Sequence, residues 1–240
     1  MIVEVTGPSG VGKSTFINKI LKELSKNGFD TGTVSVSKRN YSKHIPNCIS
    51  NLESHNIYTD VYIFPWFVLF FFRNISFSLF ALKNIFKNQT SAFEKLALLR
   101  SFIRKSGIRH FLERKIFNNI IVLVDEGLVH SAHNFLCSPY FCADKKEAET
   151  FFELCPEPDL IVLLTATKDR LINQLRTRGD FSPRIKSDKE FYDFVYHSHN
   201  LFSIISLIID DQKAGIHFDL DKESYEDIKD KFLRYLIKKS

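Results

Sequence analysis

The chain has 240 residues, 44% hydrophobic and 25% charged, with a net charge of +5 from 33 basic and 28 acidic side chains. A chain of this length and composition can bury a substantial core, which excludes wholesale disorder. The mild positive balance admits anionic ligands, but it lacks the dense basic stripe that marks a nucleic-acid binder.

The elements follow from hydrophobic periodicity. Met1 to Thr6 reads as a short buried strand, with no targeting peptide ahead of it. A Gly-rich turn comes next. The helix after it carries Phe16, Ile17, Ile20, Leu21 and Leu24 on one side and stops near Asn27-Gly28. Thr33 to Ser37 alternates β-branched residues and reads as a second strand, and residues 38–60 read as loop with a short helix. Residues 61–86 are intensely apolar. Ser91 to Phe117 has an amphipathic helix pattern with a break expected at Gly107, and Asn119 to Asp125 is a fully buried parallel strand. A helix near 127–137 precedes an irregular stretch to Pro158. Asp159 to Thr165 is a strand, Lys168 to Arg178 a basic helix and Lys189 to Ile209 a longer one. A last strand (216–220) and helix (225–238) close the chain. This alternation predicts a three-layer α/β fold with a mainly parallel sheet, one domain over residues 1–240. Cys48, Cys137, Cys142 and Cys155 form no CxxC pair and read as reduced thiols of a cytoplasmic protein.

The strongest motif is Gly7-Pro8-Ser9-Gly10-Val11-Gly12-Lys13-Ser14, which fits G-x-x-x-x-G-K-[ST] between a strand and a helix. A polyphosphate wants several backbone N–H donors curled around it, and Gly permits that turn. The helix starting near Lys13 adds its positive end. The expected nucleotide contacts are Gly7, Ser9, Gly10, Val11, Gly12, Lys13, Ser14 and Thr15. Lys13 is expected to reach the β- and γ-phosphates and Ser14 to ligate Mg²⁺.

Asp125-Glu126 ends the strand NIIVLV, at the carboxyl edge where open α/β sheets bind ligands. One carboxylate there can join a Mg²⁺ shell and the other can accept a proton from an attacking hydroxyl or water. We assign Asp125 to the metal and Glu126 to the base. The plainer alternative is a helix start decorated with acids. Lys168, Arg170, Arg176, Arg178, Arg184 and Lys186 crowd a segment interrupted by Gly179 and Pro183. It reads as a lid over about 176–188, with Arg178 and Arg184 closing on phosphate, or else as a solvated basic helix end.

These stretches, GPSGVGKST, IIVLVDEGLVHSAHNF, PDLIVLLTATKDRLINQLRTRG and IHFDLDKESYEDIKDKF, resemble the P-loop nucleoside and nucleotide kinases, thymidylate kinase above all, in order and spacing. Residues 40–115 fall outside the resemblance. It implies a three-layer α/β/α fold with a five-stranded parallel sheet in the order 2-3-1-4-5, ATP as donor, Mg²⁺, and an acceptor contact from Arg39. Thymidylate kinases carry Arg after the strand-end acid, where this chain has Glu126. A carboxylate facing a dianionic acceptor is repulsive, so we expect an acceptor hydroxyl on a nucleoside, sugar or other alcohol rather than dTMP. The alternatives are a kinase of a glycan precursor or of a modified base in nucleic acid, and an NTP-driven switch with no small-molecule acceptor. No N-K-x-D sequence follows the fourth strand, which argues against a guanine-specific GTPase.

The segment outside the resemblance is also where Phe concentrates: eight of the 24 lie between Phe64 and Phe86. Residues 61–72 are uninterrupted apolar, but a span needs roughly 20. Arg73 at mid-span would cost roughly 2.5–3.5 kcal/mol. A spanning helix is therefore not expected. The segment, an aromatic-rich helical insertion at about 60–117, reads as a buried core helix, as an acceptor-pocket or homodimer surface, or as a lipid-docking face. Arg73 is expected to meet a substrate anion or a buried carboxylate. His130 and His133 share a helix face without further metal ligands at zinc spacing. The acids of Asp219-Leu220-Asp221 are expected to be solvated.

Overall fold

A computed structural model describes residues 1–35, 57–87, 91–115, 120–179, 185–212 and 215–239. Aliphatic runs form the central strands β1 (Ile2–Thr6), β3 (Ile120–Asp125) and β4 (Leu160–Thr165), and the more mixed β2 (Asp30–Ser35) and β5 (Gly215–Asp219) take the edges. They make one five-stranded sheet in the order β2-β3-β1-β4-β5, as the resemblance implied, and every pairing is parallel. A separate hairpin pairs Cys137–Ser138 with Phe141–Cys142. The helices are α1 (Lys13–Lys26), α2 (Ile57–Arg73), α3 (Ile75–Lys87), α4 (Ala92–Lys115), α5 (Ser131–Leu136), α6 (Lys145–Leu154), α7 (Lys168–Arg178), α8 (Asp188–Gln212) and α9 (Tyr225–Lys239).

Side chains alternate across the sheet, so each face builds its own core. Val3, Val5, Leu123 and Val162 pack with Phe16, Ile17 and Ile20 of α1 and Phe232 of α9. On the other face Ile2, Val122 and Val124 meet Ile63 of α2 and Ile108 of α4. Ile161 and Leu163 belong with Phe135, Phe151 and Phe202. The result is helix, sheet and helix in three layers. The register sets Val5 and Ser35 on either side of Asp125, so the turn leaving β1 emerges beside the acidic end of β3.

Part of the Phe surplus goes into an aromatic core. Phe77 of α3 lies 6.2 Å from Phe102 of α4 and 5.5 Å from Phe151 of α6, and Phe102 lies 5.8 Å from Phe135 of α5. Such edge and tilted packings add about 0.5–1.5 kcal/mol each beyond area burial. The apolar segment is not one buried helix. It breaks at Asn74, whose side-chain amide donates to the Phe70 carbonyl at 3.2 Å, and the chain turns by 109°. Ile63, Phe70, Phe77, Ala81 and Ile85 are buried, but much of the opposite face is exposed. No described helix is long and apolar enough to cross a membrane by itself.

Three expectations need correction. The helix containing Gly107 does not break there. A Cβ at Gly107 would fall 2.3 Å from Ile63 Cγ2 and 2.8 Å from the Ile63 carbonyl oxygen, so the missing side chain is what lets α2 cross α4. The stretch expected to be irregular holds α6, capped by Asp144, which accepts from the Glu147 backbone N–H at 2.8 Å. The helix expected near 127–137 is the six-residue α5, followed directly by the hairpin.

Candidate nucleotide-binding site

The loop after β1 needs backbone angles that favour glycine: φ is +148° at Gly7, +85° at Gly10 and +102° at Gly12. A Cβ on Gly7 would sit 2.3 Å from the Leu164 carbonyl oxygen, whereas one on Gly12 would meet nothing within 4 Å. The loop is thus pressed against β4 on one side and open at Gly12, where α1 begins. Lys13 is buried. Its ammonium donates to the carbonyls of Gly7 at 3.0 Å and Pro8 at 3.2 Å. The Ser14 hydroxyl donates to Asp125 Oδ2 at 3.5 Å, and Glu126 Oε1 lies 3.6 Å from Lys13 Nζ. Loop and strand-end acids therefore meet in one place. Glu126 has φ +58°, the one positive φ on a non-glycine residue among those described. That conformation costs roughly 1–2 kcal/mol, and such strain gathers at functional sites.

Beneath these groups lies a charged layer that sequence reading overlooked. Glu4, in the middle of β1, is fully buried, and its Oε1 accepts from the His130 backbone N–H at 3.0 Å. Burial raises its pKa above the ordinary carboxylate value, against the hydrogen bond from His130 and the charges of Arg109 and Lys105. Lys105 of α4 is also buried and lines a small cavity with Glu4, Arg109 and Gly127. Burial pushes its pKa down to about 8, with Glu126, Glu4 and Asp125 opposing the shift and Lys13 adding to it. His130 contacts Thr6 Oγ1 at 3.3 Å and lies 3.9 Å from Glu126. Burial and then Lys13 and Lys105 hold His130 well below its usual pKa, so it faces Glu126 as a neutral ring. The His130 and His133 rings stand 5.4 Å apart and pack on Phe202.

On the other side of the loop a cleft of about 240 Å³ runs past Val11, Gly12, Thr15, Gln174, Leu220 and Tyr225. Asp221, expected to be solvated, fixes its rim instead. It accepts from the Thr167 backbone N–H at 2.5 Å and from Arg170 Nη1 at 3.0 Å, and Arg170 also donates to the Leu220 carbonyl at 2.6 Å.

The remaining expected site residues do not all converge. Arg178 stands exposed at the end of α7, next to Gly179. Arg176 donates to the Tyr192 hydroxyl at 2.8 Å and stacks on that ring, which ties α7 to α8. Arg73, expected to find an anionic partner in an apolar interior, is exposed at the end of α2. Arg39 and Arg184, and with Arg184 residues 180–184 of the expected lid, lie outside the described residues.

Ser14 and Asp125 bring two hard oxygen donors to the mouth of the loop. That fits Mg²⁺, which takes one or two protein oxygens and completes its shell with phosphate and water. Loop, strand-end acids and sheet order together define a P-loop fold of the kinase type. Comparison with known proteins agrees. A protein family described as NTPase matches residues 2–57. Among solved structures, thymidylate kinase from Candida albicans aligns with a TM-score of 0.55 at 12% identity, covering 99% of this chain and 91% of that one. No curated protein matches the sequence. The chain thus has a P-loop fold of the thymidylate kinase type.

Proposed function

We propose that the protein is an ATP-dependent kinase that transfers the γ-phosphoryl group to a hydroxyl of a small molecule, a nucleoside or sugar rather than a nucleoside monophosphate. The observation that carries this reading is the Glu126 carboxylate, 3.6 Å from Lys13 at the point where phosphoryl transfer would occur. The local charge count among the described residues supports it. Lys13, Lys105 and Arg109 face Asp125, Glu126 and Glu4, three charges of each sign, which leaves no surplus of positive charge there for a dianionic acceptor.

In this reading Gly7 and Ser9 to Thr15 cradle the polyphosphate, and Lys13 exchanges its contacts with the Gly7 and Pro8 carbonyls for phosphate oxygens. Ser14 and Asp125 hold Mg²⁺, which when bound neutralises charge on the phosphates. The cleft beside Tyr225 takes the base. Glu126 accepts the proton of the acceptor hydroxyl as its oxygen bonds to the γ-phosphorus and the bond to the β–γ bridging oxygen breaks, releasing ADP. Arg178 and Arg184 close over the transferred group.

The test is a screen of ATP consumption over nucleosides, nucleotides and sugars, with Glu126→Gln alongside. An acceptor should accelerate turnover, and the variant should lose roughly 10²–10⁴-fold. Faster phosphorylation of dTMP than of any nucleoside or sugar would overturn the acceptor assignment. Turnover that responds only to a protein partner would mark an NTP-driven switch.

A further inference from the structure

Helices α2 and α3 present a face that the other described residues leave exposed. Phe64, Leu69 and Phe72 on α2 and Ile75 and Leu79 on α3 are 51%, 54%, 69%, 47% and 56% exposed. Scattered exposed apolar side chains are ordinary, but a set of large ones recurring along two consecutive helices marks an interaction surface. Its charge is one-sided. From Val61 to Lys87 there is no Asp or Glu, and the charged residues are Arg73, Lys83 and Lys87, all exposed, of which Lys87 pairs with Glu147 of α6 at 3.1 Å. Asp60, the nearest preceding acid, is engaged by Arg100 and Arg104 of α4.

These features separate the candidate occupants. Two copies meeting isologously would set Arg73 and Lys83 against their own counterparts, with no carboxylate between Val61 and Lys87 to relieve the repulsion. A bilayer rich in anionic lipid matches both properties: acyl chains take the aromatic and aliphatic side chains, and headgroups take Arg73 and Lys83. Helices of 17 and 13 residues with a 109° turn between them suit the interfacial plane rather than a span. The elbow puts Phe72, Arg73 and Ile75 at its apex. The long Arg side chain can reach headgroup phosphate while its neighbours enter the acyl boundary.

We propose that the exposed face of α2 and α3 docks this protein on an anionic membrane surface. The inference does not depend on the kinase reading, and it is measured without nucleotide.

The experiment is flotation of the full chain with vesicles of phosphatidylcholine alone or with about 30% phosphatidylserine, at low and high salt. Recovery with the anionic vesicles should exceed that with the neutral ones by about tenfold and should fall with salt. Phe72→Ser with Leu79→Ser should cut recovery by about tenfold or more. Arg73→Glu with Lys83→Glu should remove the preference for anionic lipid. All four positions are solvent-exposed, so thermal midpoint and nucleotide binding should hold and separate lost docking from lost folding. Trp66 packs on Phe111 of α4, so Phe64→Trp, on the exposed face, gives a second readout through quenching by brominated acyl chains. Absent flotation and quenching would overturn the proposal. So would a homodimer, seen by sedimentation, that the same Ser substitutions dissociate while vesicle binding stays absent.

Discussion

The Glu126 carboxylate stands 3.6 Å from the Lys13 ammonium, and Glu126 adopts a left-handed backbone angle to reach that position. The pair joins the two motifs of the site, one on the loop after β1 and the other at the end of β3. Neutralising Glu126 frees Lys13 to turn toward phosphate. Glu126→Gln should therefore bind nucleotide at least as tightly as the parent while phosphoryl transfer falls by roughly 10²–10⁴-fold. Equilibrium nucleotide binding and single-turnover transfer measure the two effects separately. Retained transfer would end the general-base assignment. Glu126→Gly relieves the left-handed strain and should raise unfolding stability by about 1 kcal/mol while losing the same activity.

The Ser14 hydroxyl and Asp125 Oδ2 lie 3.5 Å apart, so a Mg²⁺ ion would draw on both. Chelation with EDTA should abolish transfer, and restoring Mg²⁺ should recover it. Ser14→Ala and Asp125→Asn should each raise the Mg²⁺ concentration needed for half-maximal rate by about 10–100-fold. The double variant should fall short of the product of the two shifts, because both groups serve one ion. Unchanged Mg²⁺ dependence in Asp125→Asn would remove that residue from the metal shell.

The nucleotide loop and the sheet were legible because each follows from local sequence. Gly7, Gly10 and Gly12 mark angles few other residues accept, and the central strands β3 and β4 are near-continuous aliphatic runs. The charged layer beneath was not, for a reason that lies in tertiary packing. Glu4 sits in a strand whose other members are apolar or Thr, and that was a signal available to be read. Lys105 is one of several cations on α4, and only the fold separates it from the exposed Arg100. Gly107 was misread for the same reason: its role depends on Ile63, 44 positions earlier, on a different helix. The start of α6 was readable in Asp144-Lys145-Lys146-Glu147, where the acid precedes Glu by the spacing of a capping box.

Lys105 predicts an alkaline rise in stability. Its pKa falls from an ordinary 10.5 when unfolded to about 8 when folded, so keeping it charged costs stability throughout the range below about 8. Between about 8 and 10.5 the unfolded chain binds the extra proton, and stability from this group rises with pH. Denaturation of the metal-free protein at pH values spanning that window should show a gain of roughly 1–3 kcal/mol. Lys105→Met should lack this component. It should be the more stable protein at neutral pH unless the uncompensated Glu4 outweighs the relief, and Lys105→Met with Glu4→Gln removes that second charge. A parent and a Lys105→Met variant with parallel pH profiles would show that Lys105 titrates normally.

The approach of α2 to α4 at Gly107 makes a prediction whose sign is opposite to helix propensity. In an exposed helix interior Gly→Ala stabilises by about 1 kcal/mol. Here the added Cβ would lie 2.3 Å from Ile63 Cγ2 and 2.8 Å from the Ile63 carbonyl oxygen, and the second contact cannot be relieved by a rotamer change. Overpacking of this kind costs about 1–3 kcal/mol. Gly107→Ala should therefore lower unfolding stability in urea, with some loss of nucleotide-site order because Lys105 is two residues away on the same helix. Ile63→Ala removes Cγ2 but leaves the carbonyl. Combined with Gly107→Ala, it should cost less than the sum of the single changes without restoring the parent value. Strict additivity would mean the helices separate freely and the close crossing is not a constraint of the fold. A stabilising Gly107→Ala would contradict the crossing itself.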